Sequence, residues 1–192
     1  MGTVHGVYLK YVGISALSYA SFAYLMQNSD GERISITDLI QTRSTPYVFT
    51  ALTMGYSTVL NGVIAVLFKM EVGMGMIGKN RKTGQIPMWS YVLFYPFHLP
   101  TLLYTHVHTL QSTYKVERDG KKVRELVPVT SEVQPGWWVG GCYSHLLKKE
   151  WAAIVDLTVE FPESCIKHTK AYLSRPTWDG VPCSPAQLEE AA

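Results

Sequence analysis

Charged residues are scarce in this 192-residue chain, and several long stretches of its N-terminal half contain none. Asp, Glu, Lys and Arg make up 17% of the sequence, against roughly 25% in average soluble domains. The formal net charge of +2 is too small to indicate nucleic-acid binding, and no basic stripe alternates with aromatic residues. The composition therefore excludes a typical nucleic-acid binder and favours a membrane segment joined to a small domain.

Cysteine is also scarce, and its spacing carries no metal or disulfide signal. Cys142, Cys165 and Cys183 form no CxxC pair and no zinc-type spacing. Their odd number favours a reducing compartment for the C-terminal part. His106 and His108 lie two positions apart and do not share one face of a helix. We therefore expect no metal site and no cofactor.

Two apolar segments near the N-terminus predict transmembrane helices. Residues 46–68 are 23 positions without a formal charge, and a transmembrane helix needs about 20 apolar residues. Residues 7–26 are the second candidate, with Lys10 near one end, where its side chain can extend to the interface. A cleaved signal peptide and a segment outside the membrane are the alternatives for this second segment. Because residues 46–68 contain no charge to mark a substrate path, a transporter is disfavoured.

A third uncharged segment, residues 86–107, contains three prolines. Proline removes a helix hydrogen bond and kinks the chain, so this segment is predicted to be a kinked helix or to lie in the membrane interface. Basic residues cluster in the loop at 69–85 and again after residue 110, and both clusters favour the cytoplasmic side. We therefore predict two spans with both ends cytoplasmic. Three spans, with one basic cluster outside, are the alternative.

The C-terminal half is predicted to be mixed α and β. Residues 111–136 are predicted to form a polar linker with a hairpin tip at Asp119-Gly120. In the unit that follows, residues 137–192, strands are predicted near 137–139, 152–157 and 171–173, the second of them buried and parallel. Strands that alternate with helices indicate an α/β layer.

The last predicted helix carries a clear start signal. Ser184 predicts its N-cap, Pro185 stands at its first position, and Gln187 completes a capping box.

The order of short motifs along this half resembles a known family. The motifs are WWVGG at 137–141, AIVDLTVE at 153–160, PTWDG at 176–180 and SPAQLE at 184–189. Their order is similar to that of the membrane-attached dual-specificity phosphatase-like proteins of plants and algae. Upstream, GKN at 78–80 and IPMWS at 86–90 resemble the segment that precedes the phosphatase domain in the plant proteins. The resemblance covers residues 44–192.

This resemblance implies a fold class of N-terminal transmembrane α-helices followed by an incomplete α/β domain, the first part of a dual-specificity phosphatase-like fold. In that family a cysteine thiolate attacks phosphorus and an arginine holds two phosphate oxygens. An aspartic acid on a separate loop protonates the leaving oxygen. Asp179 matches that aspartic acid and is the implied general acid.

The family's HCxxxxxR loop, which holds the nucleophile, is missing from the sequence. Gly141, Ser164 and Pro182 precede the three cysteines, where the family has His, and no Arg stands six positions after any of them. We therefore expect a truncated phosphatase that is inactive as given. Cys165 has no adjacent Gly-rich turn and is not expected to replace the nucleophile.

The predicted function is that of a membrane-anchored dual-specificity phosphatase-like protein. The resemblance implies that the full-length form acts on a phosphoprotein or a lipid phosphate. The alternative is a non-enzymatic membrane protein whose C-terminal unit binds a partner, such as a second chain that completes the sheet. The lipid bilayer is the expected partner of the N-terminal helices, and the C-terminal part is expected to be cytoplasmic. Asp156 and Glu160 are interpreted as structural residues.

Overall fold

The computed structural model of the chain describes residues 6–111, 113–118 and 121–191. These residues form two compact units. The first unit contains residues 6–73 and 94–97, and the second contains residues 74–93 and 98–191, apart from the undescribed positions.

Three helices make up most of the first unit. They are α1 (Tyr8–Leu25), α2 (Ile36–Thr42) and α3 (Thr45–Lys69). Pro46 lies in the first turn of α3, where the missing N–H removes no helix hydrogen bond. The last residue of α3, Lys69, places its positive charge at the negative end of the helix dipole.

Small polar side chains join α1 to α3. The Oγ atoms of Ser18 and Ser57 lie 2.9 Å apart, and Ser15 Oγ donates to the Thr58 carbonyl oxygen at 2.8 Å. Asn61 Nδ2 donates to the Ser57 carbonyl oxygen at 2.9 Å. Ser15 contacts Thr58, whereas Ser18, further along α1, contacts the earlier residue Ser57 of α3. The two helices are therefore antiparallel. Such contacts between Ser, Thr and Asn are typical of helix pairs in membranes.

Helix α2 is fixed by a cap and a small apolar cluster. Ser35 accepts a hydrogen bond from the Asp38 N–H, and the Asp38 side chain accepts one from the Ser35 N–H, which completes a capping box. Leu39 of this helix is fully buried against Met26 and Ala51. The sequence predicted only a loop between the two candidate spans, so this helix is a correction.

Helix α3 is long and apolar enough to cross a membrane, and it is the one helix of this kind among the residues that the structure describes. It matches the predicted span, residues 46–68, to within one residue at each end. Helix α1 lies within the predicted segment 7–26, and its passage through a membrane stays a prediction.

The second unit contains helices and three small sheets. The uncharged segment 86–107 forms two helices, α4 (Met88–Leu93) and α5 (Tyr95–Gln111), separated by one residue. Pro96 lies in the first turn of α5, where proline is tolerated, and Pro100 lies inside the helix.

Each sheet consists of two strands. The first two sheets are antiparallel, and the third is parallel. The pairs are β1 (Thr113–Arg118) with β2 (Lys121–Leu126), β3 (Thr130–Gln134) with β4 (Trp137–Gly140), and β5 (Ile154–Thr158) with β6 (Tyr172–Thr177). The first three strands lie within the range predicted as a polar linker. The predicted tip at Asp119-Gly120 lies outside the described residues, and the strands on either side of it pair as a hairpin does.

The last helix, α6 (Pro185–Ala191), begins as predicted. The Ser184 N–H donates to Gln187 Oε1 at 2.8 Å, and the Gln187 N–H donates to Ser184 Oγ at 3.3 Å. The chain is therefore a mixture of helices and small sheets, with one apolar helix long enough to span a membrane. The finer assignment to a dual-specificity phosphatase-like fold stays a prediction.

Candidate functional site at the carboxyl end of the parallel strands

The parallel pairing of β5 and β6 brings two carboxylates together. In a parallel pair the carboxyl ends of both strands lie at the same edge, where open α/β sheets bind their ligands. Glu160 follows β5 and Asp179 follows β6. Glu160 Oε1 accepts a hydrogen bond from the backbone N–H of Asp179 at 2.7 Å. This hydrogen bond joins the loop after β5 to the loop after β6.

The Asp179 side chain lies at the surface of this edge. The residue before it, Trp178, is completely buried. Val181 N–H donates to the Trp178 carbonyl oxygen at 2.8 Å and closes a turn around Asp179 and Gly180. Gly180 has a φ of 80°, which glycine adopts without steric cost. The buried tryptophan and the closed turn hold the exposed Asp179 in one place, where a ligand can reach it.

Whereas Asp179 is exposed, Glu160 is buried, with only 2% of its surface exposed. Burial raises the pKa of its carboxyl group to about 7, while the backbone N–H groups that it accepts from, that of Asp179 first, lower this pKa. The negative charge of Asp179 raises it further. Glu160 Oε1 is used by the Asp179 N–H, and Glu160 Oε2 has no hydrogen-bond partner among the described residues. The sequence analysis treated Glu160 as structural; here it holds the loop that carries Asp179.

A second cluster of polar side chains contacts β5 and β6 before their carboxyl ends. Lys79 Nζ lies 2.6 Å from Asp156 Oδ2 and also donates to the Thr158 carbonyl oxygen at 2.6 Å. The Tyr172 hydroxyl donates to Asp156 Oδ2 at 2.6 Å. The side chains of Lys79 and Asp156 are 1% and 2% exposed. Burial, followed by the hydrogen bond to Asp156, raises the pKa of Tyr172.

We interpret this group as structural, because its members are paired with one another and its two charged side chains are buried. It agrees with the interpretation of Asp156 from the sequence. The sequence analysis missed its partners, Lys79 and Tyr172. Lys79 lies far upstream in the chain, and the one signal for it was its place in the GKN motif at 78–80.

Two of the three cysteines, Cys142 and Cys165, lie in surroundings that keep the thiol protonated. Cys165 is buried, and burial, together with the negative charge of Glu163, raises the pKa of its thiol to about 12. Burial also raises the pKa of Cys142. Cys183 is half-buried just before α6. A thiol attacks phosphorus as its thiolate, so neither Cys165 nor Cys142 is activated.

Histidine and acidic side chains form no metal cluster of three or more in the described part of the chain. His106 Nδ1 lies 2.9 Å from the Tyr143 hydroxyl, and the ring of His108 stacks on Tyr104. Both histidines thus have aromatic neighbours.

No protein-family model, curated protein or solved structure matches the chain. The chemistry of this edge of the strand pair is therefore the basis for assigning a function. The edge offers one exposed carboxyl group, Asp179, on a loop that Glu160 and Trp178 hold in place. Such a group can exchange a proton with a bound ligand.

Proposed function

We propose that this protein is a membrane-anchored member of the dual-specificity phosphatase type, in which Asp179 is the general acid. One observation carries the proposal. Asp179 is exposed on a closed turn at the carboxyl edge of a parallel strand pair, and its backbone is held by a buried carboxyl group. The order of motifs from residue 137 to residue 189 supports the same assignment.

In the proposed reaction a cysteine thiolate attacks the phosphorus of a phosphate monoester. The bond from phosphorus to the leaving oxygen breaks, and Asp179 gives its proton to that oxygen. Water then attacks the phosphorus of the phosphocysteine, and the Asp179 carboxylate takes a proton of that water. The phosphorus–sulfur bond breaks, which releases inorganic phosphate and restores the thiolate. The thiolate and the phosphate-binding arginine must come from a segment outside residues 1–192. Substrates of this chemistry are phosphoproteins or lipid phosphates close to the bilayer.

The first test is to sequence the transcript and the genomic DNA beyond the codon for Ala192. We expect an HCxxxxxR loop soon after α6. A stop codon with no such exon nearby would contradict this proposal and leave catalysis by this route without a nucleophile.

The second test uses the protein that contains this loop. Asp179→Asn should lower kcat by about 10²- to 10⁴-fold for an alkyl phosphate, whose leaving oxygen needs a proton. The loss should be much smaller for p-nitrophenyl phosphate, whose leaving group is a stable anion. Glu189→Gln, an exposed change on α6, is the matched control. Equal losses for both substrates would assign Asp179 a structural role instead.

A second candidate function is a non-enzymatic membrane protein whose C-terminal unit binds another chain. Strand β5 favours it, because Val155 and Leu157 are 42% and 44% exposed while Asp156 between them is buried. One face of this strand is therefore apolar and open to solvent. A second chain packed against this face would cover it.

This candidate predicts association through β5. Val155→Asp and Leu157→Asp should convert a complex of the detergent-solubilised protein into monomers in light scattering, while Glu150→Lys, at an exposed position, should not. Hydrolysis of an aryl phosphate by the purified 192-residue protein would contradict the non-enzymatic candidate.

The proposed location is an integral membrane position with the second unit in the cytoplasm. The length and apolar character of α3 support it, and so do the basic residues in the loop at 69–85. Glycosylation acceptor sites introduced before residue 6 and after residue 191 should both remain unmodified. Modification of either site would overturn the two-span arrangement.

A further inference from the structure

Helices α1 and α3 border an open groove of about 510 Å³. Its walls are almost entirely apolar and include Val12, Ala16, Gly62 and Ala65. The groove exists because the positions at its base are small. A Cβ atom added at Gly62 would first meet Ser15 Oγ, at 3.4 Å. Small residues at positions 16, 62 and 65 thus leave this space open, and larger side chains there would fill it.

The groove is about as long as one leaflet of a bilayer is thick. Its lining runs from Tyr8 to Tyr19 on α1 and from Thr58 to Met70 on α3. At about 1.5 Å per residue these stretches are roughly 17 Å long, and half of the hydrocarbon core is about 15 Å. A stretched acyl chain would fit along it.

One end of the groove carries a positive charge. Lys69 lines this end, and its Nζ atom lies 5.3 Å from the centre of the Tyr8 ring. Lys69 is also the last residue of α3, and residues of this type lie at the headgroup level of a span. Among the residues that the structure describes, no acidic one lines the groove. The charge of the site thus complements a phosphate group, while its walls complement a hydrocarbon chain.

We propose that this groove binds one anionic glycerophospholipid, with an acyl chain between α1 and α3 and the headgroup phosphate on Lys69. The basic loop at 69–85 places this end of α3 on the cytoplasmic side, whose leaflet holds the anionic lipids. The proposal depends on the membrane insertion of α3 and not on phosphatase chemistry. A zwitterionic lipid offers the same acyl chain but no net charge for Lys69.

The experiment is native mass spectrometry of the full chain, delipidated in mild detergent and mixed with equal amounts of dioleoyl phosphatidylglycerol and dioleoyl phosphatidylcholine. We expect one phosphatidylglycerol molecule to remain bound in preference. Lys69→Gln should weaken this binding roughly fivefold, since a basic residue near an anionic surface contributes about that factor. Ala16→Phe fills the groove and should abolish binding, while Ala20→Phe, an exposed change on α1 outside the lining, should not.

Gly62→Leu provides an independent block of the groove if Ala16→Phe loses its helical circular dichroism. Equal binding of the two lipids, or unchanged binding in both blocked variants, would overturn the proposal. A dimer without lipid that both blocked variants convert into a monomer would also overturn it, and would assign the groove to a second copy of the chain. Because none of these measurements involves phosphate hydrolysis, their failure would leave the proposed catalytic role of Asp179 unaffected.

Discussion

The ion pair between Lys79 and Asp156 predicts a large loss of stability when one partner is removed. Lys79→Met keeps most of the aliphatic stem but removes the charge that lies 2.6 Å from the carboxylate. Asp156 would still accept hydrogen bonds from Tyr172 and Thr158, but its negative charge would remain buried without a cation. Breaking a buried pair in this way costs about 3–5 kcal/mol. We expect the free energy of unfolding to fall by that amount.

The double variant Lys79→Met with Asp156→Asn separates the charge from the packing. With both charges removed, much of the lost stability should return, because a neutral pair of similar volume is often as stable as a buried ion pair. The coupling between the two changes should be large and stabilising, up to about 3 kcal/mol. An exposed lysine, Lys82, supplies the control Lys82→Met, which should stay within about 0.5 kcal/mol of the wild type.

The assay is urea unfolding of the full chain in mild detergent. Fluorescence of Trp178, which is completely buried in the second unit, reports the transition, with a Trp178→Phe variant to identify its share of the signal. A loss below about 1 kcal/mol for Lys79→Met, or strictly additive losses in the double variant, would refute the reasoning. Either result would mean that the pair is open to water in solution.

Three further predictions concern the second unit. Because the folded-state pKa of Glu160 is raised from 4.5 to about 7, the folded chain binds more protons than the unfolded chain between these pH values. The free energy of unfolding should therefore fall by up to about 3 kcal/mol as pH rises through this window. Urea midpoints measured from pH 4.5 to 8 should show this slope in the wild type and lose it in Glu160→Gln. Gly84→Ala should destabilise the unit by more than about 1 kcal/mol, because φ is 63° and the new Cβ atom would lie 2.7 Å from the Tyr172 hydroxyl oxygen; an unchanged unfolding midpoint would contradict that geometry. Ser184→Ala should cost about 1 kcal/mol through loss of the cap, measured as faster amide exchange in α6, while Ser184→Asp should retain protection.

Local signals in the sequence identified the elements that depend on local chemistry. The apolar run at 46–68 predicted α3, and the capping box from Ser184 to Gln187 predicted the start of α6. The run at 152–157 predicted a buried parallel strand, and β5 does pair in parallel with β6. The predicted burial was wrong, because Val155 and Leu157 are exposed on one face of β5. Each of these elements depends on neighbours within a few positions, so its pattern is visible without a fold.

Contacts between distant parts of the chain were not predictable in the same way. In the sequence, Lys79 is one of several basic residues in a polar loop, and no neighbouring residue indicates that its side chain is buried. The hydrogen bond from Asp179 to Glu160 requires that two loops meet at the edge of a sheet, which only the register of β5 and β6 defines. The resemblance implied only that Asp179 lies on a separate loop, whereas its exposure and the burial of Glu160 follow from the three-dimensional packing.

The contacts of residues 79–84 also determine what proteolysis can release. Lys79 is bound to Asp156, and the Gly84 carbonyl oxygen accepts a hydrogen bond from the Glu163 N–H at 2.9 Å. Both contacts join a segment before α4 to residues that follow β2 in the chain, one in β5 and one in the loop after it. A protease that cuts between β1 and β2 would therefore sever the polypeptide without freeing its C-terminal piece. That piece would stay attached to the upstream segment, and through it to α3, until a denaturant separated the two. Shedding of a soluble C-terminal fragment would require a cut before residue 79.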